Sequence, residues 1–369
     1  MRIANFRLIA CAVTLLTFAA VPVAKAAPTE KISPKVLVVV TYETGKDTGD
    51  TPGELQYWAE REHLSQKIQV PGLEHPLLTN GTGLYLVLSG VTSRSGFNLM
   101  ALAMDTRFDL RKSYILLAGI GGADPKAASL GSAIWVRDVV DGDPSYEIDS
   151  KETPAGWKYG TIALGAELPG KIPGDENAPA AGVTEETAGG VGHVAFHLNR
   201  QLVDWAFAQS KDIPLADSDG MQKERARFAE FAEAVKPPHV LEGESMGSDH
   251  FWHGRIMTAW AEDWVRGYLK GKGELSIADC EDQGVALAVE KLSQLGRVDG
   301  ARFLVLRTAS NFTEQAPGVS ASRSLFDGLV TSSAYLPSLD AAHKVASVVA
   351  HKLIDNWSEY ENRTPESAR

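Results

Sequence analysis

The chain is short of cysteine, with only Cys11 and Cys280 in 369 residues. Cys11 lies in an apolar amino-terminal stretch that reads as a removable leader, so one thiol remains. Neither an intrachain disulfide nor a cysteine-built metal site is then available. Positive charge is also scarce: 36 Lys+Arg stand against 47 Asp+Glu, net −11. An acidic chain without a basic stripe argues against nucleic acid and anionic membranes as partners. Beyond residue 26 no apolar run approaches the ~18 residues that a spanning helix needs, so no membrane span is expected in the processed chain. No internal repeat is visible.

What is present begins with the leader. Arg2 and Arg7 precede an almost wholly apolar run over residues 8–23, and Ala24-Lys25-Ala26 stands before Ala27. This tripartite pattern predicts a signal peptide over 1–26, a single domain over 27–369, and export across the inner membrane to the periplasm. Leu8-Ile9-Ala10-Cys11 resembles a lipoprotein cleavage box but comes too early in the run. The leader holds three basic residues and no acid, so its removal leaves 33 Lys+Arg against 47 Asp+Glu, net −14.

Strand-type runs alternate with helical patterns along the rest, which predicts an α/β fold with a central mixed sheet flanked by helices. Strands are expected over 35–41, 84–88, 114–118, 131–140, 239–241 and 302–307, and a short one over 159–164 within an otherwise irregular insertion at 141–192. Helices are expected over 54–67, 97–106, 194–209, 220–234, 255–270, 281–295 and 338–359. In the helix at 97–106, Phe97, Met100, Ala101 and Met104 fall on one predicted inner face. Residues 311–337 read as a long loop.

Several polar groups stand at the carboxyl ends of these strands, where open α/β sheets bind ligands. Glycine turns after the second and third strands, including Gly90, Gly119 and Gly121, would let backbone N–H groups approach an anion or a sugar hydroxyl, or would simply turn the chain. Glu43 and Lys46 lie in the loop after the first strand, and Arg94 follows the second. Phe251, within Ser248-Asp249-His250-Phe251-Trp252-His253, offers a face for a flat heterocycle or a core contact. His250 and His253 lack a third ligand in sequence, so no metal is expected. Glu281 is either a first-turn carboxylate stabilising its helix or a bidentate acceptor for a vicinal diol. Asn311 is either a turn residue or an amide that both donates to and accepts from a base.

Gly119-Ile120-Gly121-Gly122, Ser248-Asp249-His250-Phe251, Cys280-Glu281-Asp282-Gln283-Gly284-Val285-Ala286 and Arg307-Thr308-Ala309-Ser310-Asn311 resemble, in order, the signature segments of the nucleoside phosphorylase and nucleosidase superfamily. The resemblance is to the purine nucleoside permease family in particular, over roughly residues 35–360. It implies a nucleoside phosphorylase-like fold, a purine nucleoside as ligand, no cofactor, assembly into homo-oligomers and an inner-membrane transporter as a partner in uptake. Phe251 then takes the place of the purine-stacking aromatic. Glu281 takes that of the glutamate accepting ribose hydroxyls, with Cys280 where methionine is usual. Asn311 falls where many relatives carry an aspartate that protonates the departing base. An amide only hydrogen-bonds, so it would instead stabilise charge on a 6-oxopurine. Ile120 stands where phosphorylases often place serine, which favours binding or hydrolysis over phosphorolysis. Glu43 is the resulting candidate base for a water.

Overall fold

The computed structural model describes residues 31–173 and 193–366, without the side chains of 327–331. The predicted leader and residues 174–192 of the predicted insertion lie outside the described residues. From Ile32 onward the chain is one compact unit. Among the described residues no helix is long and apolar enough to cross a membrane.

The sheet starts from β1 (Val36–Val40), whose five residues are all buried. It runs parallel to both β4 (Leu84–Leu88) and β5 (Tyr114–Ala123). A β-branched strand covered on both faces is what its unbroken apolar run calls for. Beyond β4, β3 (Leu77–Thr79) and β2 (Gln66–Ile68) add an antiparallel edge. On the other side, β5 pairs parallel with β12 (Phe303–Phe312), and β12 pairs antiparallel with β6 (Ala133–Asp141). Next come β10 (Val240–Gly247) and β11 (Leu275–Asp279), each parallel to the strand before it. The far end of β5 then pairs antiparallel with β11, through Ala123 with Ile277 and Gly122 with Ala278. Five strands thereby close into a small ring, while the rest of the ten-stranded sheet stays open. β9 (Ala195–His197) lies on β6, and β7 (Ser145–Glu147) with β8 (Thr161–Ala163) forms a separate hairpin.

The helices are α1 (Gln56–Arg61), α2 (Arg94–Met104), α3 (Arg200–Ser210), α4 (Asp219–Arg225), α5 (Arg255–Tyr268), α6 (Asp282–Gln294), α7 (Ala321–Thr331), α8 (Tyr335–Asp355) and α9 (Trp357–Tyr360). The mixed α/β architecture agrees with the sequence reading, as do β1, β4, α5 and α6 within a residue or two.

Elsewhere the structure corrects that reading. Gly119 to Gly122 is not a turn: β5 runs straight through it, because glycine suits a strand against which other groups press closely. A Cβ on Gly119 would lie 2.1 Å from Glu54 Oε1, and one on Gly121 would lie 2.7 Å from the Ala278 carbonyl oxygen. The face expected for α2 is wrong. Phe97 and Met104 are 73% and 50% exposed, and Ser95, Gly96, Leu99, Leu102 and Ala103 face inward. Contact with α6 decides this, since a Cβ on Gly96 would meet the Gly284 carbonyl oxygen at 2.3 Å, so only the small-residue face can seat there. α1 ends at Arg61, ahead of His63 at φ +53°. The helix expected from 194 begins only at Arg200, because 195–197 pair as β9. The helix expected over 220–234 stops at Arg225 and passes into a 3₁₀ turn, Ala226–Phe228. β10 runs past its expected end at Leu241 to Gly247, and α7 occupies part of the expected loop at 311–337. Strands β2, β3 and β7, of three residues each, are too short to show a period, and in β11 Ser276 interrupts the apolar run.

The ring's tight seam gives a test. Gly121→Ala is expected to lower the unfolding free energy by about 1–3 kcal/mol, the usual cost of forcing a methyl into filled space. Urea denaturation measures it, and an unchanged midpoint and slope would show that β11 yields without cost.

Candidate functional site

The site is built around Arg307, a fully buried cation in the middle of β12. A charge within an apolar strand requires partners, and four carboxylates supply them from two sequence regions. Asp282 is nearest, at 2.8 Å from Nη2 and 2.9 Å from Nε, and its other oxygen accepts from Ser245 Oγ at 2.6 Å. Glu281 Oε2 is 3.2 Å from Nη2, while its Oε1 faces the Thr92 N–H at 3.4 Å. Asp279 lies at 3.4 Å and caps α6 by accepting the Glu281 and Asp282 N–H groups, both at 2.8 Å. Glu54, just ahead of α1, is 3.6 Å from Nη1. Its oxygens accept from Thr41 N and Oγ1 at 2.8 and 2.9 Å and from Ile120 N at 2.8 Å.

One guanidinium cannot balance four buried carboxylates. Burial therefore raises Glu54 above the usual carboxylate range, against the pull of Arg307. Burial, together with repulsion from Asp282 and Glu281, takes Asp279 well above that range. Glu281 is pushed up to about 7, by burial first and then by the nearby Glu54 and Asp282 charges. Burial acts to lower Arg307, but the surrounding carboxylates outweigh it and hold the guanidinium firmly charged. Asp279 Oδ2 is buried without a hydrogen-bond partner among the described residues. Glu281, with a proton affinity near neutrality and set in a charged and dehydrated cluster, is suited to moving protons.

A second group of side chains opens onto solvent. β12 carries a bulge: Ala309 pairs with Gly121 and Asn311 with Gly122, which leaves Ser310 unpaired. Bulges re-aim the side chains beside them, and here Asn311 turns to the sheet's open end. Its Oδ1 accepts from Ser310 Oγ at 2.9 Å and its Nδ2 donates to the Phe312 carbonyl at 3.1 Å. Phe251, 55% exposed, stands on the loop between β10 and α5. Asn311, Phe251 and His253 line a cavity of about 810 Å³. Burial lowers the proton affinity of His253, so its imidazole is neutral. Asn311 and Phe251 also line a small pocket of about 30 Å³ with Cys280, Asp279 and Gly122. Burial raises the Cys280 thiol to about 12, so it is no nucleophile near neutral pH.

The structure thus brings together Phe251, Asn311 and Cys280. Glu281 follows Cys280 but lines neither cavity, because its carboxylate turns to Arg307. Glu43 lies apart, in a clasp on the start of α1: its oxygens accept from Thr44 N at 2.8 Å, Gln56 N at 2.7 Å and Gly53 N. Gly90 ends β4 at φ +84° beside Asn98, whose amide donates to the Ser89 carbonyl. Gly119 and Gly121 make room for Glu54, Arg307 and β11. Arg94 opens α2 on the surface. Sequence reasoning gave no role to Glu54, Asp279, Asp282 or Arg307. A lone arginine within Leu304-Val305-Leu306-Arg307 was the available signal, since such a strand can hold a cation only among acids.

A family model described as purine nucleoside permease matches residues 33–365. The chain belongs to the purine nucleoside permease family. A protein of Schizosaccharomyces pombe named a probable purine nucleoside permease is 26% identical over 274 residues, 72% of this chain and 74% of its own length. The purine nucleoside permease of Candida albicans strain SC5314 is 24% identical over 342 residues, 89% of this chain and 77% of its own. Among solved structures, the 5′-methylthioadenosine/S-adenosylhomocysteine nucleosidase of S. pneumoniae with a transition-state inhibitor aligns over 88% of this chain and 99% of that one, at 14% identity and a TM-score of 0.48.

The raised Glu281 gives this permease-family chain a contribution to stability that is lost as pH rises. An unfolded glutamate releases its proton near pH 4.3, whereas Glu281 holds its own to about 7. Between those values folding takes up a proton, so that contribution is complete below about pH 4 and gone above about pH 7. Glu281→Gln is expected to flatten the decline in melting temperature across that window. Parallel curves for the two proteins would mean that Glu281 titrates normally.

Proposed function

We propose that this protein is exported to the periplasm, binds purine nucleosides there and acts in their uptake and metabolism. Family membership and the relatives named purine nucleoside permease support the nucleoside. The observation that carries the reading is the joint exposure of Phe251 and Asn311 on cavities beside Cys280 and Glu281. A purine stacks on the Phe251 ring, and the Asn311 amide meets its heteroatoms. In this reading the buried Glu281 carboxylate turns from Arg307 to take the ribose hydroxyls, accepting when ionised and donating when protonated. The leader pattern supports export. A transporter in the inner membrane would then carry the ligand or its free base onward, and self-assembly remains part of the reading.

A second reading, favoured by the acids around Arg307, is hydrolysis of the bond between base and ribose. Water oxygen bonds to the sugar C1′, the C–N bond breaks, and its electron pair leaves on the purine. The proton from water passes to a carboxylate. Glu43, held by three backbone N–H groups, and Glu54, held by two backbone N–H groups, the Thr41 hydroxyl and Arg307, are the two candidates, and either must release hydrogen bonds to take it. Asn311 has no proton to give, so the purine takes its proton from solvent while the amide stabilises its charge. Loss of a general acid costs on the order of 10²–10⁴ in rate, which leaves hydrolysis slow. Ile120 at the usual serine position weighs against phosphorolysis.

Incubating the purified protein with inosine and adenosine, with and without phosphate, separates these cases. Thermal stabilisation with no product means a binder; free base without phosphate means a hydrolase, and free base only with phosphate a phosphorylase. No stabilisation and no product with either nucleoside would overturn the proposal. Phe251→Ala is expected to weaken nucleoside binding by about tenfold, the worth of one stacked base, and an unaltered titration would remove Phe251 from the site. Asn311→Asp, which restores an ionisable acid, is expected to shift preference from inosine toward adenosine and to raise any hydrolytic rate; an unchanged ratio would separate Asn311 from the base.

A further inference from the structure

The large cavity extends from Asn311 and Phe251 away from Cys280 and Glu281, onto α4 and the start of α7. At about 810 Å³ it is near the upper end of the ~300–1,000 Å³ typical of small-molecule sites, more than a nucleoside alone fills. Its outer wall is cationic although the chain as a whole is acidic. Lys223 and Arg227, one helical turn apart, line it with Arg323. Of the two acids on the same wall, Glu314 pairs with Arg255 at 3.2 Å, while Glu224 keeps its charge as it accepts from Ser333 Oγ at 2.6 Å, so the three basic side chains of the lining outnumber its acids. Lys223 and Arg227 make no ion pair among the described residues. The first turn of α7, capped by Ser320 accepting from Arg323 N at 3.3 Å, adds its N–H groups to that wall.

We propose that this chamber is a subsite for an anionic group attached to the outer edge of the purine, so that the ligand class includes purine nucleosides with an acidic substituent on the base. The inference rests on the nucleoside-binding reading and adds its orientation. With the sugar toward Glu281 and the ring on Phe251 and Asn311, the group entering the chamber comes from the base and not from the ribose. Lys223 and Arg227 meet its carboxylate or phosphate.

Isothermal titration of the full chain with adenosine, N6-ethyladenosine, N6-(carboxymethyl)adenosine and adenosine 5′-monophosphate tests this, alongside the Lys223→Gln/Arg227→Gln double variant. The carboxymethyl compound is expected to bind about three- to tenfold tighter than the uncharged ethyl compound, the worth of two partly exposed ion pairs. In the double variant, and at high salt, that ratio is expected to fall to near one. A ratio near one in the unaltered protein, or one that survives the double variant, overturns the subsite. A gain confined to the 5′-monophosphate overturns the orientation, because the anion then reaches the cations from the sugar. Absence of binding by any of the four, adenosine included, overturns the nucleoside reading itself; adenosine binding with no charge-dependent gain overturns the subsite alone.

Discussion

Everything at the open end of the sheet is arranged about the buried guanidinium of Arg307. It links β12 to the Asp279, Glu281 and Asp282 stretch where β11 passes into α6, and to Glu54 ahead of α1. It also reaches β5, through a 3.0 Å hydrogen bond to the Ile120 carbonyl. Burying an ion costs several kcal/mol even after relaxation. No single carboxylate supplies enough hydrogen bonds to offset that cost, so several converge. Burial and mutual repulsion raise the proton affinity of Asp279 and Glu281, and the same excess of acid that secures the arginine brings Glu281 near neutrality. Stability and chemical readiness here have one origin.

Glycine completes that arrangement. The guanidinium and the Glu54 carboxylate lie where a side chain on residue 119 would be, and β11 closes the ring against residue 121. Residues that look from the sequence like a loop awaiting a phosphate are, in space, a strand stripped of side chains so that charged groups and a neighbouring strand approach its backbone.

This explains which parts of the molecule were legible in the sequence. β1 and β4 announce themselves because a strand buried on both faces needs an unbroken apolar run, and α6 because its stripe repeats cleanly through Val285, Val289 and Leu292. α2 was misjudged because hydrophobicity alone suggested Phe97 and Met104 as its inner face, whereas close approach to α6 at Gly96 and Gly284 rewards small residues. Of the candidate site, the sequence pointed to Phe251, Glu281 and Asn311; Phe251 and Asn311 share cavities, and Glu281 lines neither. The other acids that share Arg307 were not read, because partners separated by as many as 253 positions, as Glu54 and Arg307 are, have no local signature.

The two ends of the region differ in how they treat charge. Toward Glu281, acids outnumber the cation and lie buried, with Glu281 near neutrality, so that end favours hydroxyl groups that both donate and accept. Toward α4 and α7, Lys223, Arg227 and Arg323 outnumber Glu224 and Glu314 in the lining, so that end favours an anion. Between the two stands Asn311, aimed by the Ser310 bulge and held by its own hydrogen bonds at 2.9 and 3.1 Å. An ionised aspartate there would repel an anion on the base and bring a further negative charge toward Asp279 and Glu281. A neutral amide does neither, so the residue that weakens the protein as a hydrolase is the one that fits a charged ligand between its two ends.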